Sequence, residues 1–424
     1  MSDDVSGSPP VEEAVGSRRR VSDMFRALHE RNFALFWTGQ LVSGTGTWMQ
    51  TVAMAWLVLT ISKSAAVLGL VTTLQFLPML LFVLPAGVVA DRISKWKILL
   101  AAQSLAALQA FVLGFLLLGG TPEIWQLAVL AGALGLSNAF NNPAQQAFIA
   151  EMVGGSLTAD AVAVNSVQFN ATRMIGSGLG GVAVAQLPAY AVFFINGASF
   201  GASLLALVLM RRSELRKVHG ENAKGLGALR EGLGFAFRTP AVFFILGSLA
   251  IVGTLGFNWP VAGPLIADRL LGIGPDGFGA LMSALGVGSL VAGLGLVVFG
   301  GATEHRIVVS GALLAVFLTG LGMSPSYPLS LALMFLAGLS GTTFTTTVNA
   351  RLQSLVPDRL RGRIMSLFVL LLIGSTPVGA SLLGLGAETL GATATLVLFG
   401  VASGLGLGVM VLVHRLRTVG SDGR

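Results

Sequence analysis

The chain is 424 residues long, and 54% of its residues are hydrophobic while only 11% are charged. A soluble protein carries about a quarter charged residues, so this composition excludes an ordinary globular domain. The chain has no cysteine, which excludes disulfides, thiol nucleophiles and cysteine-based metal sites, and its four histidines lie far apart, so no metal site is predicted.

Long apolar segments follow one another along the whole chain. A bilayer-spanning helix needs about 20 mainly apolar residues, and many segments reach that length. We therefore predict an all-α polytopic membrane protein with twelve transmembrane helices. The first 32 residues lack the apolar core of a signal peptide, so the first span is expected to stay as an anchor. The predicted spans are 33–61, 66–90, 97–118, 124–149, 160–186, 190–210, 241–268, 277–299, 306–322, 328–350, 363–386 and 391–413.

The cations indicate how these spans are oriented. All 26 lysines and arginines fall in the terminal segments and in the loops on the same side, except Lys63, Arg173 and Arg269. Basic loops stay in the cytoplasm, which predicts a multi-pass protein of the cytoplasmic (inner) membrane with both termini cytoplasmic. The net charge of +7 is then a consequence of topology, and no nucleic-acid partner is predicted.

The longest loop between spans, 211–239, separates the sixth span from the seventh. We predict a cytoplasmic tail (1–32), an N-terminal six-helix half (33–210), a cytoplasmic linker (211–239), a C-terminal six-helix half (240–414) and a second tail (415–424). In the linker, the apolar residues from Leu226 to Phe237 recur at helical spacing, which favours an interfacial helix over a solvated loop. The sequence Ile-Gly-Ser occurs at 175–177 and at 373–375, which is weak evidence that the halves are repeats.

A charged loop, Gly87 to Lys97, joins the second and third spans. Asp91 comes at the carboxyl end of the second span, where the helix dipole disfavours an acid unless another helix or a cation interacts favourably with it. We therefore expect this loop to contact another part of the protein. The alternative is a pair of solvated charges, Asp91 and Arg92.

This arrangement resembles the major facilitator superfamily, whose loop between the second and third helices has the pattern Gly-x-x-x-Asp-Arg-x-x-basic-basic. Gly87, Asp91, Arg92 and Lys95 match the pattern, and Trp96 stands at the last basic position. The opening Arg-Asn-Phe-Ala-Leu-Phe-Trp at 31–37 and the Asn-Pro-Ala at 142–144 are similar to bacterial multidrug and siderophore exporters of the enterobactin-exporter type.

The resemblance implies the major facilitator fold and a role for the loop. Asp91 would contact the cytoplasmic start of the eleventh helix, near Arg361 and Arg363, where a helix amino terminus stabilises a carboxylate. That contact would close the cytoplasmic side and favour an outward-open state. Gly87, Asp91, Arg92, Lys95, Arg361 and Arg363 are the residues predicted to form this conformational switch.

Arg173 is the one cation predicted near the middle of a span. A charge at that depth is costly and usually faces a cavity or a partner. We expect it in a substrate cavity with Gln40, Gln50 and Asn138 as neighbours. Alternatively, Arg173 lies closer to the cytoplasmic surface.

The fifth span also carries a run of small residues. Gly176, Gly180 and Gly181 permit a neighbouring helix to approach closely, and this packing could also be the hinge between the halves. Family exporters often carry a proline in this run, which is absent here, whereas Pro377 occurs in the eleventh span.

Together these features predict a secondary active transporter that exports small amphipathic molecules, such as a drug, a siderophore or a secondary metabolite, by alternating access. The resemblance implies a monomer driven by the proton gradient. The sequence contains no ATP-binding loop and no catalytic set, so we predict neither an enzyme nor a cofactor. The alternatives are a transporter of lipids or lysophospholipids and a non-transporting membrane sensor, for which the soluble segments are too short.

Overall fold

The computed structural model describes residues 25–216, 225–299 and 301–422, and nearly all of them are helical. Most of the predicted amino-terminal tail and the middle of the linker therefore lie outside the described residues. The helices are α1 (Arg31–Ser62), α2 (Ala65–Arg92), α3 (Lys95–Gly119), α4 (Ile124–Val153), α5 (Thr158–Gln186), α6 (Ala189–Leu209), α7 (Gly225–Arg238), α8 (Pro240–Gly256), α9 (Trp259–Leu265), α10 (Gly274–Phe299), α11 (Glu304–Gly322), α12 (Tyr327–Leu355), α13 (Asp358–Thr389) and α14 (Ala392–Asp422).

Each predicted span falls on one of these helices, with one difference. The seventh span is not a single helix: α8 ends at Gly256, and the chain continues as α9 and a π-helical turn, Ile266–Leu270. The cause is local, because Pro260, at the start of α9, cannot donate the backbone hydrogen bond to Gly256 that would continue α8. The helix α7 confirms that the linker contains a helical segment.

Nine helical segments in the described part of the chain are long and apolar enough to cross a membrane. The long helices α1, α4 and α5 do not meet that criterion because they carry more polar side chains. We call the helix ends that adjoin the lysine- and arginine-rich loops the basic side, and the other ends the opposite side.

A close helix crossing occurs at corresponding positions of the two halves. A side chain at Gly135 of α4 would collide with the carbonyl oxygen of Gln75 in α2. A side chain at Gly338 of α12 would likewise collide with the carbonyl oxygen of Leu285 in α10. Gly135 and Gly338 lie eleven residues after the first residue of their helices, at Ile124 and Tyr327, so the two crossings support a repeat of six helices.

The two halves meet along two helix pairs, α2 with α13 and α5 with α10. On the first pair, the Thr73 hydroxyl lies 2.7 Å from the Ser381 hydroxyl and donates to the carbonyl of Pro377 at 2.9 Å. On the second pair, Gly181 packs against the backbone of Gly279. These contacts belong to the part of each helix that is nearer to the opposite side, so the halves are closed there.

Candidate functional site

The position of Arg173 follows from what each side of the helix α5 contacts. Ile175, Leu179 and Val182 share one face, and their side chains are 43%, 51% and 56% exposed. Exposed apolar side chains on a membrane helix face lipid. Residues two apart on a helix point about 200° apart, so Arg173 lies opposite Ile175, on a face that it shares with Phe169, whose side chain is 53% exposed.

Glycines occupy the two lateral faces of α5. Side chains at Gly176 and Gly180 would meet the backbone of α1 at Thr45 and Met49, within the first half. A side chain at Gly181 would instead meet Gly279 of α10, across the interface. The glycine run therefore packs α5 against both halves, and the remaining face, with Arg173, is directed between them.

Arg173 has few protein partners in this position. Its guanidinium donates one hydrogen bond to the Asn170 side chain, at 3.2 Å, one helical turn away. Its Nε atom is buried and has no hydrogen-bond partner among the described residues. A buried cation with free donors can bind an acceptor or an anion that enters the space between the halves.

Gln40 and Asn138 lie on faces turned away from lipid. On α1, Gln40 lies two residues before the exposed Val42. On α4, Asn138 lies nine residues after the exposed Val129. Each spacing corresponds to about half a turn of net rotation around the helix. The side chain of Gln40 is buried, and its amide nitrogen has no partner in the described part of the chain. Neither side chain forms a hydrogen bond with Arg173 among the residues that the structure describes, so the cavity expected from these three residues stays a prediction.

Gln50 occupies a different position. It is buried inside the first half, where its amide donates to Gln109 of α3 at 3.0 Å and accepts from Asn196 of α6 at 2.6 Å. Ser199 extends this network by donating to the Asn196 side chain at 3.1 Å. In this conformation Gln50 joins three helices of one half, and the partners that it binds are not the neighbours expected for it.

Further polar residues, which no sequence motif singled out, lie near this site. Gln145 of α4 donates to Asn165 of α5 at 3.3 Å, and Asn141 donates to Gln145 at the same distance. The bond between Gln145 and Asn165 links α4 to α5 on the basic side of Arg173, and Asn170 follows on the same helix as Arg173. A helical wheel of α5 would have grouped Asn170 with Arg173, whereas the pairing of Gln145 and Asn165 depends on how two helices pack.

The loop from Gly87 to Lys97 is held by the first half and the linker. Lys95 forms an ion pair with Glu151 at the end of α4, at 2.9 Å. The guanidinium of Arg212, in the linker, lies 3.4 Å from the ring centroid of Trp96. The linker therefore brings a cation to the position where Trp96 replaces the basic residue of the family pattern.

The other predicted switch residues are spread over both halves. Gly87 has open space around it, and Arg92 is exposed. The side chain of Asp91 lies outside the part of the chain that the structure describes, so its predicted contact stays a prediction. Arg361 is exposed at the start of α13, and Arg363 forms an ion pair with Glu231 of α7.

Comparison with known proteins gives consistent results. A family model described as transmembrane secretion effector matches residues 22–423. The multidrug efflux pump Tap of Mycolicibacterium fortuitum is 29% identical over 393 residues, which cover 89% of this chain and 94% of the relative. The staphyloferrin A transporter of Staphylococcus aureus is 25% identical, and the match covers 87% of this chain and 92% of the relative.

Solved structures share the same fold. A bacterial homologue of the human lysosomal transporter Spinster superposes with a TM-score of 0.71 at 15% identity, covering 94% of this chain and 98% of that protein. A bacterial homologue of the iron transporter ferroportin superposes with a TM-score of 0.68 at 18% identity, covering 91% and 98%. With a family model spanning nearly the whole sequence, this chain belongs to the transmembrane secretion effectors of the major facilitator superfamily, and it is a membrane transporter rather than an enzyme.

Proposed function

We propose that this transporter exports small amphipathic molecules by alternating access, with its basic side in the cytoplasm and the proton gradient as its driving force. The observation that supports the proposal is the pair of helix contacts between the halves, α2 with α13 and α5 with α10, and we place the substrate surface between these two pairs. Rocking about these contacts would expose that surface to each side in turn.

The substrate surface in this proposal combines one cation with neutral amides. Arg173, Gln40 and Asn138 come from α5, α1 and α4 and would contact the polar part of a substrate. The similar protein named as a multidrug efflux pump supports export, and the one named as a staphyloferrin A transporter supports a small-molecule cargo. Gln50 would hold the first half together, while Gly176, Gly180, Gly181 and Pro377 would provide the packing about which the halves move.

An efflux assay tests the proposal. The chain would be expressed in a host that lacks its own pumps and loaded with a panel of ethidium, tetracycline, a fluoroquinolone and a catecholate siderophore. We expect at least one compound to leave the cells faster, and an uncoupler to abolish the difference. Faster accumulation of the compounds, or export that an uncoupler leaves unchanged, would contradict the direction or the driving force.

The substitution Arg173→Gln tests the role of the central cation. We expect export of the catecholate siderophore, the panel compound whose acidic oxygens suit a cation, to fall about tenfold, because a hydrogen bond to a charged group contributes about 1.5–3 kcal/mol. Arg415→Gln, which removes an exposed cation at the end of α14, is the matched control and is expected to export normally. Equal export rates for the Arg173→Gln and Arg415→Gln variants would remove Arg173 from the substrate surface.

The substitution Asp91→Asn tests the proposed switch. We expect slower export and a larger population closed at the opposite side, because the amide lacks the charge that a helix amino terminus stabilises. The measurement is export together with the distance between spin labels on the two halves. Asp276→Asn, at an exposed acid of α10, is the control. The switch is rejected if Asp91→Asn leaves both quantities unchanged.

A further inference from the structure

Glu388 makes a direct contact between the two halves. Its Oε2 atom accepts a hydrogen bond from the backbone N–H of Ala65 at 2.8 Å. Ala65 is the first residue of α2, and Glu388 is the second-last residue of α13. The carboxylate is therefore placed at the positive end of a helix in the other half, where a negative charge is favoured.

The position of Glu388 in its own helix is unfavourable. It lies in the last turn of α13, where the free carbonyl groups carry a partial negative charge that repels a carboxylate. Its side chain is exposed, so it adds little to the core of the second half. The favourable interaction that Glu388 makes is therefore the one with α2, and that interaction exists only while the opposite side is closed.

The surrounding contacts bring these two helix ends close together. Gly69 of α2 and Gly384 of α13 lie against each other without side chains between them, one turn further into the membrane. At the same surface, Arg269 donates to the carbonyl oxygen of Lys63 at 2.6 Å, which is a second hydrogen bond between the halves. Separation of the halves at this side would break both hydrogen bonds.

The antiparallel pair α2 and α13 carries an acid at the same position of each helix. Asp91 is the second-last residue of α2, at the basic side, and Glu388 is the second-last residue of α13, at the opposite side. Each acid adjoins the end of the pair at which the other helix begins. The pair therefore carries one acid in the last turn of each of its two helices, and the structure describes the side chain of Glu388.

We infer that Glu388 is a positioning residue of the transport cycle, which holds the opposite side closed by binding the amino terminus of α2. The inference rests on the proposed alternating access. Opening of the opposite side would release Glu388 into water, so its contribution favours the closed state and sets the population of the open one. Its counterpart for the basic side would be Asp91.

Spin-label distances in reconstituted protein test this role. The chain has no cysteine, so labels at Leu187→Cys and Met323→Cys, two exposed positions at the opposite side of different halves, report the separation without background. The distance distribution would be recorded in lipid nanodiscs for the otherwise unmodified chain, for Glu388→Gln, for Glu388→Ala and for Asp276→Asn.

We expect both Glu388 variants to raise the ratio of open to closed protein about tenfold, a change of about 1.4 kcal/mol. Gln keeps the size and an acceptor oxygen, so an effect of Glu388→Gln isolates the charge, and Asp276→Asn is expected to match the unmodified chain. If all four proteins show an open and a closed population in the same ratio, the role of Glu388 is overturned while alternating access still stands. A single population in every protein, with no export, would overturn alternating access itself.

Discussion

The variant Gly181→Val is expected to lose export at least about 30-fold and to remain open at the opposite side. A side chain at Gly181 would occupy the space of the Gly279 backbone in α10, so the two halves could not approach as they do here. Overpacking a close contact costs about 1–3 kcal/mol, and about 2 kcal/mol corresponds to 30-fold. The measurements are export and the spin-label distance across the opposite side.

A valine at another membrane glycine provides the control. Gly201 of α6 is exposed and has open space where a side chain would be. Gly201→Val therefore adds the same atoms without a clash, and we expect normal export and an unchanged distance. Normal export by Gly181→Val would contradict the close contact of α5 and α10 as a condition of transport.

The variants Gly135→Val and Gly338→Val are expected to fail at folding rather than at transport. Each side chain would enter the space of a backbone carbonyl, that of Gln75 or of Leu285, at the close crossing within one half. A helix backbone cannot move aside as a flexible side chain can, and packing at such crossings is what associates helices in a membrane. We expect a cost of about 3 kcal/mol or more in each half.

The measurement is the yield of monodisperse protein after purification and its thermal unfolding midpoint. Gly201→Val serves again as the control, and Gly181→Val is expected to purify normally because its clash lies between the halves. A yield and midpoint for Gly135→Val equal to those of Gly201→Val would show that the first half tolerates a wider crossing. The same comparison applies to Gly338→Val and the second half.

The membrane class and the family could be predicted from the sequence because hydropathy and loop charge are local properties. The spans found in the sequence coincide with helices in the structure except at the seventh, where the helix breaks just before Pro260 and continues through Pro264. Those prolines were visible, but membrane helices often tolerate proline. Local pattern alone therefore could not decide between a kink and a break.

The site was less predictable because it depends on which faces of the helices meet. Arg173 could be recognised from the sequence as a rare buried cation, and its partner-poor position agrees with that expectation. Gln50 looked like an equally good cavity residue, yet its side-chain amide is hydrogen-bonded to Gln109 and Asn196 of the same half. Glu388 carried no sequence signal, because its partner is a backbone N–H that lies 323 residues away.

The opposite side can be locked chemically to test whether transport requires it to open. Thr73 and Ser381 face each other across α2 and α13 with their hydroxyl oxygens 2.7 Å apart, and the chain contains no other thiol. The double variant Thr73→Cys with Ser381→Cys would be oxidised in proteoliposomes and assayed with the panel compound that the unmodified chain exports fastest. Each single variant, treated with the same oxidant, is the control.

We predict that the oxidised double variant loses export and that a reductant restores it, while both single variants are unaffected by either treatment. That result would follow from halves that must separate at the opposite side in every cycle. Export at the unlinked rate by fully cross-linked protein would contradict alternating access about the α2 and α13 interface.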